Sequence, residues 1–423
     1  MGLQRFTLEE KVLLVGGARR GAIYNLQDGN VYSIDEGACM LLDACESGAE
    51  LEKFFVEHSE IDCQESLTYL KTLQDKELGR FIQHNETPQK IHLAPTKKLL
   101  DFLWLEVTSG CNLRCIHCYA GSSPILIGKD RMRQKDRLAV MQQAVAIGCK
   151  KIQFIGGEPF ILGNRLAELI QAAHELEFKF IEVFTNATLL PDAMLQILQQ
   201  YGVHMAVSFY SENAHIHESI TLGTNSHTST VRNIQRVLAA GLNLRIAMIC
   251  MSHNQNTLEA TERYLHQLGV QNVRIDYIRP SGRGCNANLV PDKHIEKTYI
   301  SEPIFSKCPE NTFKQRLFGH NCFSKAVCVT ASGDIFPCIM ERDISYGNVL
   351  EETLEVILNK ASTKAIMSLS KDYVEICRDC EYRYACFDCR PKAKNMDQDG
   401  NPRAKPKECL YDPYTGMWQK QKS

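Results

Sequence analysis

At 423 residues, with 44% hydrophobic and 23% charged side chains, the chain has an ordinary globular composition and is long enough for two or three domains of about 150 residues each. Its 48 Lys+Arg balance 50 Asp+Glu, which argues against nucleic acid or an acidic membrane as a partner. The first thirty residues carry no apolar segment ending in a small-residue cleavage site, and no later run of about 18 apolar residues could span a bilayer, so a cytoplasmic protein is expected.

From the front, GAIYNLQDGNVYSI reads as two short strands about Asp28-Gly29, a dipeptide that favours a tight hairpin. DEGACMLLDACESG and ELEKFFVEH have apolar residues at helical spacing, and SLTYLKTLQDKELGRFIQ supplies a third helix, stopped by Gly79 before a short strand. This pattern predicts a winged-helix-like domain over residues 1–84. The polar, proline-containing HNETPQKIHLAPTKK then reads as a linker over 85–100.

Between residues 101 and 284, six apolar runs alternate with amphipathic helices such as RLAVMQQAVAIG and STVRNIQRVLAAG: FLWLEVTSG, KIQFIGGEP, FIEVFTNAT, HMAVSFYS, LRIAMICM and VRIDYIRP. Strand–helix–strand crossovers join parallel neighbours, so an α/β fold is expected, with a parallel sheet either open or curled into a partial barrel. Ligands of such sheets gather at the carboxyl ends of the strands, here TSGC, GGEP, TNAT and SFYS. The remainder, 285–423, has few long apolar runs besides the helix expected in ETLEVILNKASTKAIMSL, and would need metal cross-links to hold its shape.

Eighteen cysteines in a reducing compartment point to metal or cluster ligation before disulfides. Half of them follow residue 300, while Cys39, Cys45, Cys63, Cys149 and Cys250 stand singly and read as small buried hydrophobes. In GCNLRCIHCYAG, directly after the first core strand, Cys111, Cys115 and Cys118 offer three soft thiolates. Four thiolates close a structural site, whereas three leave one coordination position open. Zinc, with His117 or another cysteine as fourth ligand, stands as the alternative to an iron–sulfur cluster on this triplet alone.

The C-x3-C-x2-C spacing after the first strand of a β/α sheet resembles the radical S-adenosylmethionine enzymes. The resemblance implies a partial (β/α)6 barrel whose three cysteines hold a 4Fe–4S cluster, with S-adenosylmethionine on the fourth iron. Tyr119 matches an aromatic position of that family, and Gly156-Gly157-Glu158-Pro159 resembles its GGEP element, which grips the amino group of the bound ligand. Thr185, Asn186 and Ser208 end the next two strands, where the family contacts ribose and the methionine carboxylate; helix capping explains these residue types about as well.

The tail is similar to the SPASM extension, which usually carries two auxiliary 4Fe–4S clusters. Cys322, ten residues, Gly333, four residues and Cys338 open the pattern, and Cys377, Cys380, Cys386, Cys389 and Cys409 continue it. The resemblance implies one cluster on Cys322, Cys328, Cys338 and Cys389, and another on Cys377, Cys380, Cys386 and Cys409. Two residues separate Cys386 from Cys389 where three are common, which bears on the place of Cys389; a structural zinc ribbon is the other reading of the C-x2-C pairs. Eight thiolates suffice for two fully ligated clusters, which then serve electron transfer or structure. Cys308 is left over, as is Cys285, which follows PSGRG and is a candidate hydrogen-atom donor.

The front domain resembles the recognition element that captures the leader of a ribosomally made precursor peptide, by strand addition to a sheet edge. The acidic ELEKFFVEHSEIDCQES disfavours a DNA-reading winged helix. The implied activity is hydrogen abstraction from a precursor peptide by a 5′-deoxyadenosyl radical, forming a carbon–carbon or thioether cross-link, with a flavodoxin or ferredoxin-type electron donor. Side-chain oxidation of the sulfatase-maturase type, epimerisation, a small-molecule radical enzyme and a non-enzymatic metal-dependent peptide-binding regulator are the alternatives.

Overall fold

The computed structural model describes residues 5–95, 100–291, 307–320 and 322–419. Residues 96–99 of the expected linker and 292–306 of the expected tail segment lie outside the described residues. The chain divides into two compact units, one of Met1–Thr96, Tyr299–Asn321 and Ser368–Ser423, the other of Lys97–Thr298 and Cys322–Met367.

In the first unit β1 (Arg5–Leu8), β2 (Val12–Gly16), β3 (Gly21–Asn25) and β4 (Val31–Ile34) precede α1 (Glu36–Glu46), α2 (Leu51–Glu57), α3 (Cys63–Asp75) and β5 (Gly79–Ile82). β2, β3 and β4 form an antiparallel sheet, and β1 pairs with β5. The β3–β4 hairpin turns through Asp28-Gly29, as the dipeptide predicts, with Gly29 at φ 80°. Asp35 and Asp62 cap α1 and α3 by accepting from Ala38 N and Glu65 N. Helix α3 stops earlier than Gly79: Glu77 at φ 56° reverses the chain, and Gly79 opens β5, where a Cβ would lie 2.4 Å from the Phe6 ring. Gly79 is therefore a close-packing glycine rather than a helix stop.

The expected linker is tied to this unit along residues 83–91. Arg5 donates to the carbonyls of His84 at 2.9 Å and Glu86 at 2.7 Å, and Lys90 to Leu8 O at 3.0 Å. One apolar cluster joins Ala22 and Tyr24 of β3 to Phe313, Tyr382, Tyr384 and Tyr411. Tyr24 donates its hydroxyl to Glu381 O at 2.9 Å, and Ala18 N donates to Asp379 O at 2.7 Å. The front sheet and the last cysteine-rich segment thus share one core.

The second unit holds β6 (Phe102–Thr108), α4 (Gln134–Ala146), β7 (Lys151–Gly156), α5 (Asn164–Glu175), β8 (Phe180–Thr185), α6 (Asp192–Gln200), β9 (His204–Ser208), α7 (Ala214–Thr221), α8 (Ser226–Ala239), β10 (Leu244–Cys250), α9 (Leu258–Gln267) and β11 (Asn272–Tyr277). These six strands lie parallel and in sequence order, the parallel sheet that the alternation of apolar runs and helices predicts and the strand order of the partial (β/α)6 barrel that the resemblance implies. β12 (Ala326–Val329) adds in parallel on the far side of β6, followed by antiparallel β13 (Asp334–Phe336) and β14 (Gly347–Asn348).

Residues 322–367 therefore do not depend on metal alone for a core. Val327, Val329, Ile335, Leu354, Ile357 and Leu358 are buried in the same cluster as the barrel's Leu103, Leu105 and Phe154. Each such side chain contributes roughly 1.5–3 kcal/mol when fully buried. The helix expected in ETLEVILNKASTKAIMSL is broken at Lys360, ψ 142°, into Leu354–Asn359 and Ala361–Met367. Of the isolated cysteines, Cys45, Cys149 and Cys250 are buried, Cys39 is half-buried and Cys63, at the start of α3, is exposed. Among the described residues no helix is long and apolar enough to cross a membrane.

Candidate functional site

The loop after β6 is held by bonds to Asp130, to Ser123 and to the end of α7. Ser109 donates through N and Oγ to Asp130 Oδ1, each at 2.8 Å, and Gly110 N donates to Thr108 Oγ1 at 3.0 Å. Farther on, Cys111 N bonds to Ser123 O, Arg114 N to Thr221 O and Ile116 N to Ile220 O. These bonds aim Cys111, Cys115 and Cys118 into one cavity of about 300 Å3 at the carboxyl ends of the barrel strands. Among the described residues no three His, Cys, Asp or Glu side chains converge tightly enough to hold a single metal ion; the three thiols border a shared space instead.

Tyr119, Gly156, Gly157, Thr185, Asn186 and Ser208 line the same cavity. Glu158 and Pro159 do not. Glu158 is 0% exposed, and its carboxylate accepts from Thr185 Oγ1 at 2.7 Å, Asn186 N at 2.9 Å and Phe160 N at 3.0 Å. These three bonds tie its carboxylate to the end of β8 and to the turn that follows Pro159. Burial pushes Glu158 up to about 7, against the three donors, which favour its ionised form.

The paired glycines likewise have a packing reason. A Cβ on Gly157 would stand 1.8 Å from Gly110 O, and one on Gly156, at φ 125°, would stand 2.5 Å from Thr108 O. Gly157 N donates to Thr108 O at 2.7 Å and Glu158 N to Gly110 O at 2.9 Å, so the GGEP turn is stitched to the root of the cysteine loop. Asn186 continues the stitching, with Nδ2 at 3.1 Å from Asn112 Oδ1 and 3.7 Å from Cys111 Sγ.

Burial also raises Cys111 and Cys115: Cys111 is pushed up to about 12, with the nearby Glu158 charge adding to it. For Cys115 burial and the neighbouring Cys118 and Cys111 act together, opposed by Arg283. Metal loading must therefore displace protons from this loop. His117 lines the cavity edge-on to Tyr210, ring centroids 4.9 Å apart, and burial lowers it to about 4, so its imidazole is neutral at pH 7.

Sequence reasoning missed two arginines. Arg283, in the PSGRG turn, donates from Nε to Cys115 O and from Nη2 to Ser122 O, both at 2.8 Å, and its backbone N bonds Cys118 O at 3.0 Å. The signal was present in the glycines beside it: a Cβ on Gly282 would lie 2.2 Å from Tyr119 O. Arg342 pairs with Glu106 and places its guanidinium 5.3 Å from the centre of the Tyr119 ring; nothing in the local sequence marks it. Cys285 closes the same turn as Arg283 but is exposed and does not line the cavity, so its position lends no support to hydrogen donation.

The tail thiols divide between the units. Cys328 on β12 and Cys338 just after β13 are buried and Cys322 is half-buried, all in the barrel unit; Cys389 belongs to the other. In that other unit Cys377, Cys380, Cys386 and Cys409 line one cavity of about 30 Å3, and Cys389 does not line it. Burial raises Cys377 to about 12 against the nearby Lys371 charge.

Comparison with known proteins agrees with this geometry. Residues 105–265 match the Radical SAM superfamily, and residues 322–381 match SPASM, an iron–sulfur cluster-binding domain. The antilisterial bacteriocin subtilosin biosynthesis protein AlbA of Bacillus subtilis (strain 168) is 24% identical over 330 residues, covering 74% of this chain and 70% of the relative. An AdoMet-dependent heme synthase of Methanosarcina barkeri is 21% identical over 339 residues, covering 73% and 95%. The fold matches Streptococcus suis SuiB bound to S-adenosylmethionine with TM-score 0.58 at 15% identity, over 96% of this chain and 100% of that one. It also matches anSMEcpe with bound AdoMet with TM-score 0.53 at 16% identity, over 74% and 93%. The three thiols at the barrel mouth thus fall in the segment, 105–265, that matches the Radical SAM superfamily, and the cysteine-rich tail includes the segment, 322–381, that matches the SPASM iron–sulfur cluster-binding domain.

Proposed function

We propose that the protein is a cytoplasmic maturase that binds a ribosomally made precursor peptide and joins two of its residues through a carbon–carbon or thioether bond. The observation that carries this is the set of three thiols beside a cavity large enough for a small molecule. The relative named for subtilosin biosynthesis, and the similarity to SuiB with precursor peptide SuiA bound (TM-score 0.55), support a precursor peptide as the substrate.

The donor set fits a cluster with one iron left open, since soft thiolates suit iron–sulfur ligation and three cannot saturate four irons. When bound there, the cluster and S-adenosylmethionine supply a 5′-deoxyadenosyl radical that takes a hydrogen atom from the peptide. Cys111, Cys115 and Cys118 would be the protein ligands. Gly156, Gly157, Thr185, Asn186 and Ser208 would face the S-adenosylmethionine, with Tyr119 closing the wall behind Cys118. Glu158 would hold Thr185 and Asn186 in place. Arg283, anchored on the Cys115 and Ser122 carbonyls, would keep the loop from spreading.

Cys322, Cys328 and Cys338 would serve one auxiliary cluster, and Cys377, Cys380, Cys386 and Cys409 the other. A flavodoxin or ferredoxin-type donor would deliver electrons. The precursor's leader would add to the outer edge of β4, which ends the front sheet and exposes Tyr32 and Ser33.

The test is anaerobic reconstitution with iron and sulfide, followed by reductant, S-adenosylmethionine and a precursor encoded beside the gene. Expected are 5′-deoxyadenosine and a peptide lighter by two hydrogens per cross-link. Peptide binding without 5′-deoxyadenosine would instead identify a regulator. A peptide unchanged in mass in H2O but heavier when the reaction is run in D2O would identify an epimerase.

A further inference from the structure

In the first unit a single buried carboxylate is surrounded by more positive charge than it needs. Asp388 Oδ1 lies 3.3 Å from Lys371 Nζ and 3.3 Å from His320 Nε2, while its Oδ2 accepts from Arg390 Nε at 2.7 Å and pairs with Nη2. Side chains of all four are at most 6% exposed. Arg390 alone neutralises Asp388 in a two-pronged pair, and it is held in addition by Ala404 O at 2.9 Å. Lys371 therefore brings a second permanent cation into a buried site that is already balanced. Buried surplus charge is strongly unfavourable unless an anion compensates it.

The compensating groups lie on the other side of the ammonium. Lys371 Nζ donates to Cys386 Sγ at 3.0 Å and lines the cavity bordered by Cys377, Cys380, Cys386 and Cys409. The lysine is fixed from both flanks. Ser370 caps the turn that carries it, and Asp372 is gripped by Arg383 Nε at 2.9 Å and Tyr384 OH at 2.8 Å. Lys405 adds a further cation to the cavity wall, where Arg383 also lies, paired with Asp372.

We propose that Lys371 tunes the cluster held by these four thiols. Its N–H to Cys386 sulfur bond and its surplus charge favour the reduced, more negative state, raising that cluster's reduction potential above that of a fully thiolate-ligated cluster lacking such a donor. Hydrogen bonds to cluster sulfurs and local charge are established determinants of potential. The change concerned is uptake of one electron by an oxidised 4Fe–4S cluster, with dithionite as donor in the test. The inference rests on the reading that these thiols hold a cluster.

The experiment is an anaerobic redox titration of the reconstituted full-length protein, followed by electron paramagnetic resonance, with iron counted. The signal that disappears in Cys380→Ala identifies this cluster. Should no signal disappear and no iron be lost, the cluster reading itself fails, and the inference with it. In Lys371→Met the midpoint of that signal should fall, with the reduced-to-oxidised ratio at fixed potential at least about tenfold lower, about 59 mV for one electron. The other signals should stay in place, and Lys371→Arg should recover most of the shift. Asp388→Asn, which leaves the cations unbalanced, should move the midpoint the opposite way. An iron-replete Lys371→Met with its midpoint within twofold of wild type overturns the proposal. If Lys371→Met loses iron, an unshifted or lowered midpoint in Asp388→Asn overturns it.

Discussion

Two thiol-lined sites in this chain differ in ligand number, in free space and in the charge around them. After β6, three cysteines border a cavity of about 300 Å3, whereas in the tail four cysteines border one of about 30 Å3. The first site has a ligand too few and room for a small molecule; the second has a full set and no such room. In the first, Arg283 fixes carbonyls of the loop rather than a sulfur, whereas in the second Lys371 donates directly to a cysteine sulfur. On the proposed reading, ligand count and free volume together would separate a site that binds and cleaves a small molecule from one that holds and tunes an electron.

The largest test of this contrast replaces one thiol at each site. Cys115→Ala should lower 5′-deoxyadenosine formation by roughly 1,000-fold or more, because it disables the site of the chemistry itself. Cys380→Ala should keep S-adenosylmethionine cleavage within about tenfold of wild type while product peptide is lost. If both variants lose cleavage equally in iron-loaded protein, the two sites are not functionally distinct.

Next in size is Gly157→Ala, which forces a methyl group to within 1.8 Å of Gly110 O. It should destabilise the barrel unit by about 3 kcal/mol and reduce cluster loading at the three-thiol site first. Chemical denaturation with iron analysis of the variant checks this.

Glu158 supplies a pH-dependent test. Its folded pKa, pushed up to about 7 by burial, exceeds an unfolded value of about 4.3, so the folded state holds the proton more tightly. Its contribution to stability is full below the unfolded pKa and is lost as pH rises through the folded one. Between pH 6 and 7.5 the wild type should therefore lose about 1 kcal/mol relative to Glu158→Gln. Parallel melts of the two proteins across that range check the slope, and equal slopes would place the raised pKa elsewhere.

The smallest effect is expected from Thr185→Val, which removes one donor to Glu158 and should cost about 1 kcal/mol. Because Val also leaves the cavity wall less polar, the Michaelis constant for S-adenosylmethionine should rise while the cleavage rate at saturation changes little.

Much of the barrel was legible because its signals are local. Alternating strands and helices announce a parallel sheet, and C-x3-C-x2-C and GGEP sit on consecutive strand ends where backbone alone brings them together. Less legible were contacts between residues far apart in the chain. Arg342, which sits over Tyr119, and Tyr24, bonded to Glu381, carry no periodicity or spacing that could be recognised. The stop of α3 was misread because Glu77, not the more conspicuous Gly79, takes the left-handed conformation.

By itself the sequence determined the kind of chemistry: ligand identity and number are covalent facts, and three thiols beside a strand end imply an open coordination position in any fold that keeps them together. Tertiary structure alone decided what surrounds those ligands. Glu158 is tied to the end of β8, the tail strands share the barrel's core, and Lys371 reaches Cys386 from a network already neutral without it. Direction, burial and the balance of charge depend on which distant segments pack together, and no local pattern of residues encodes that.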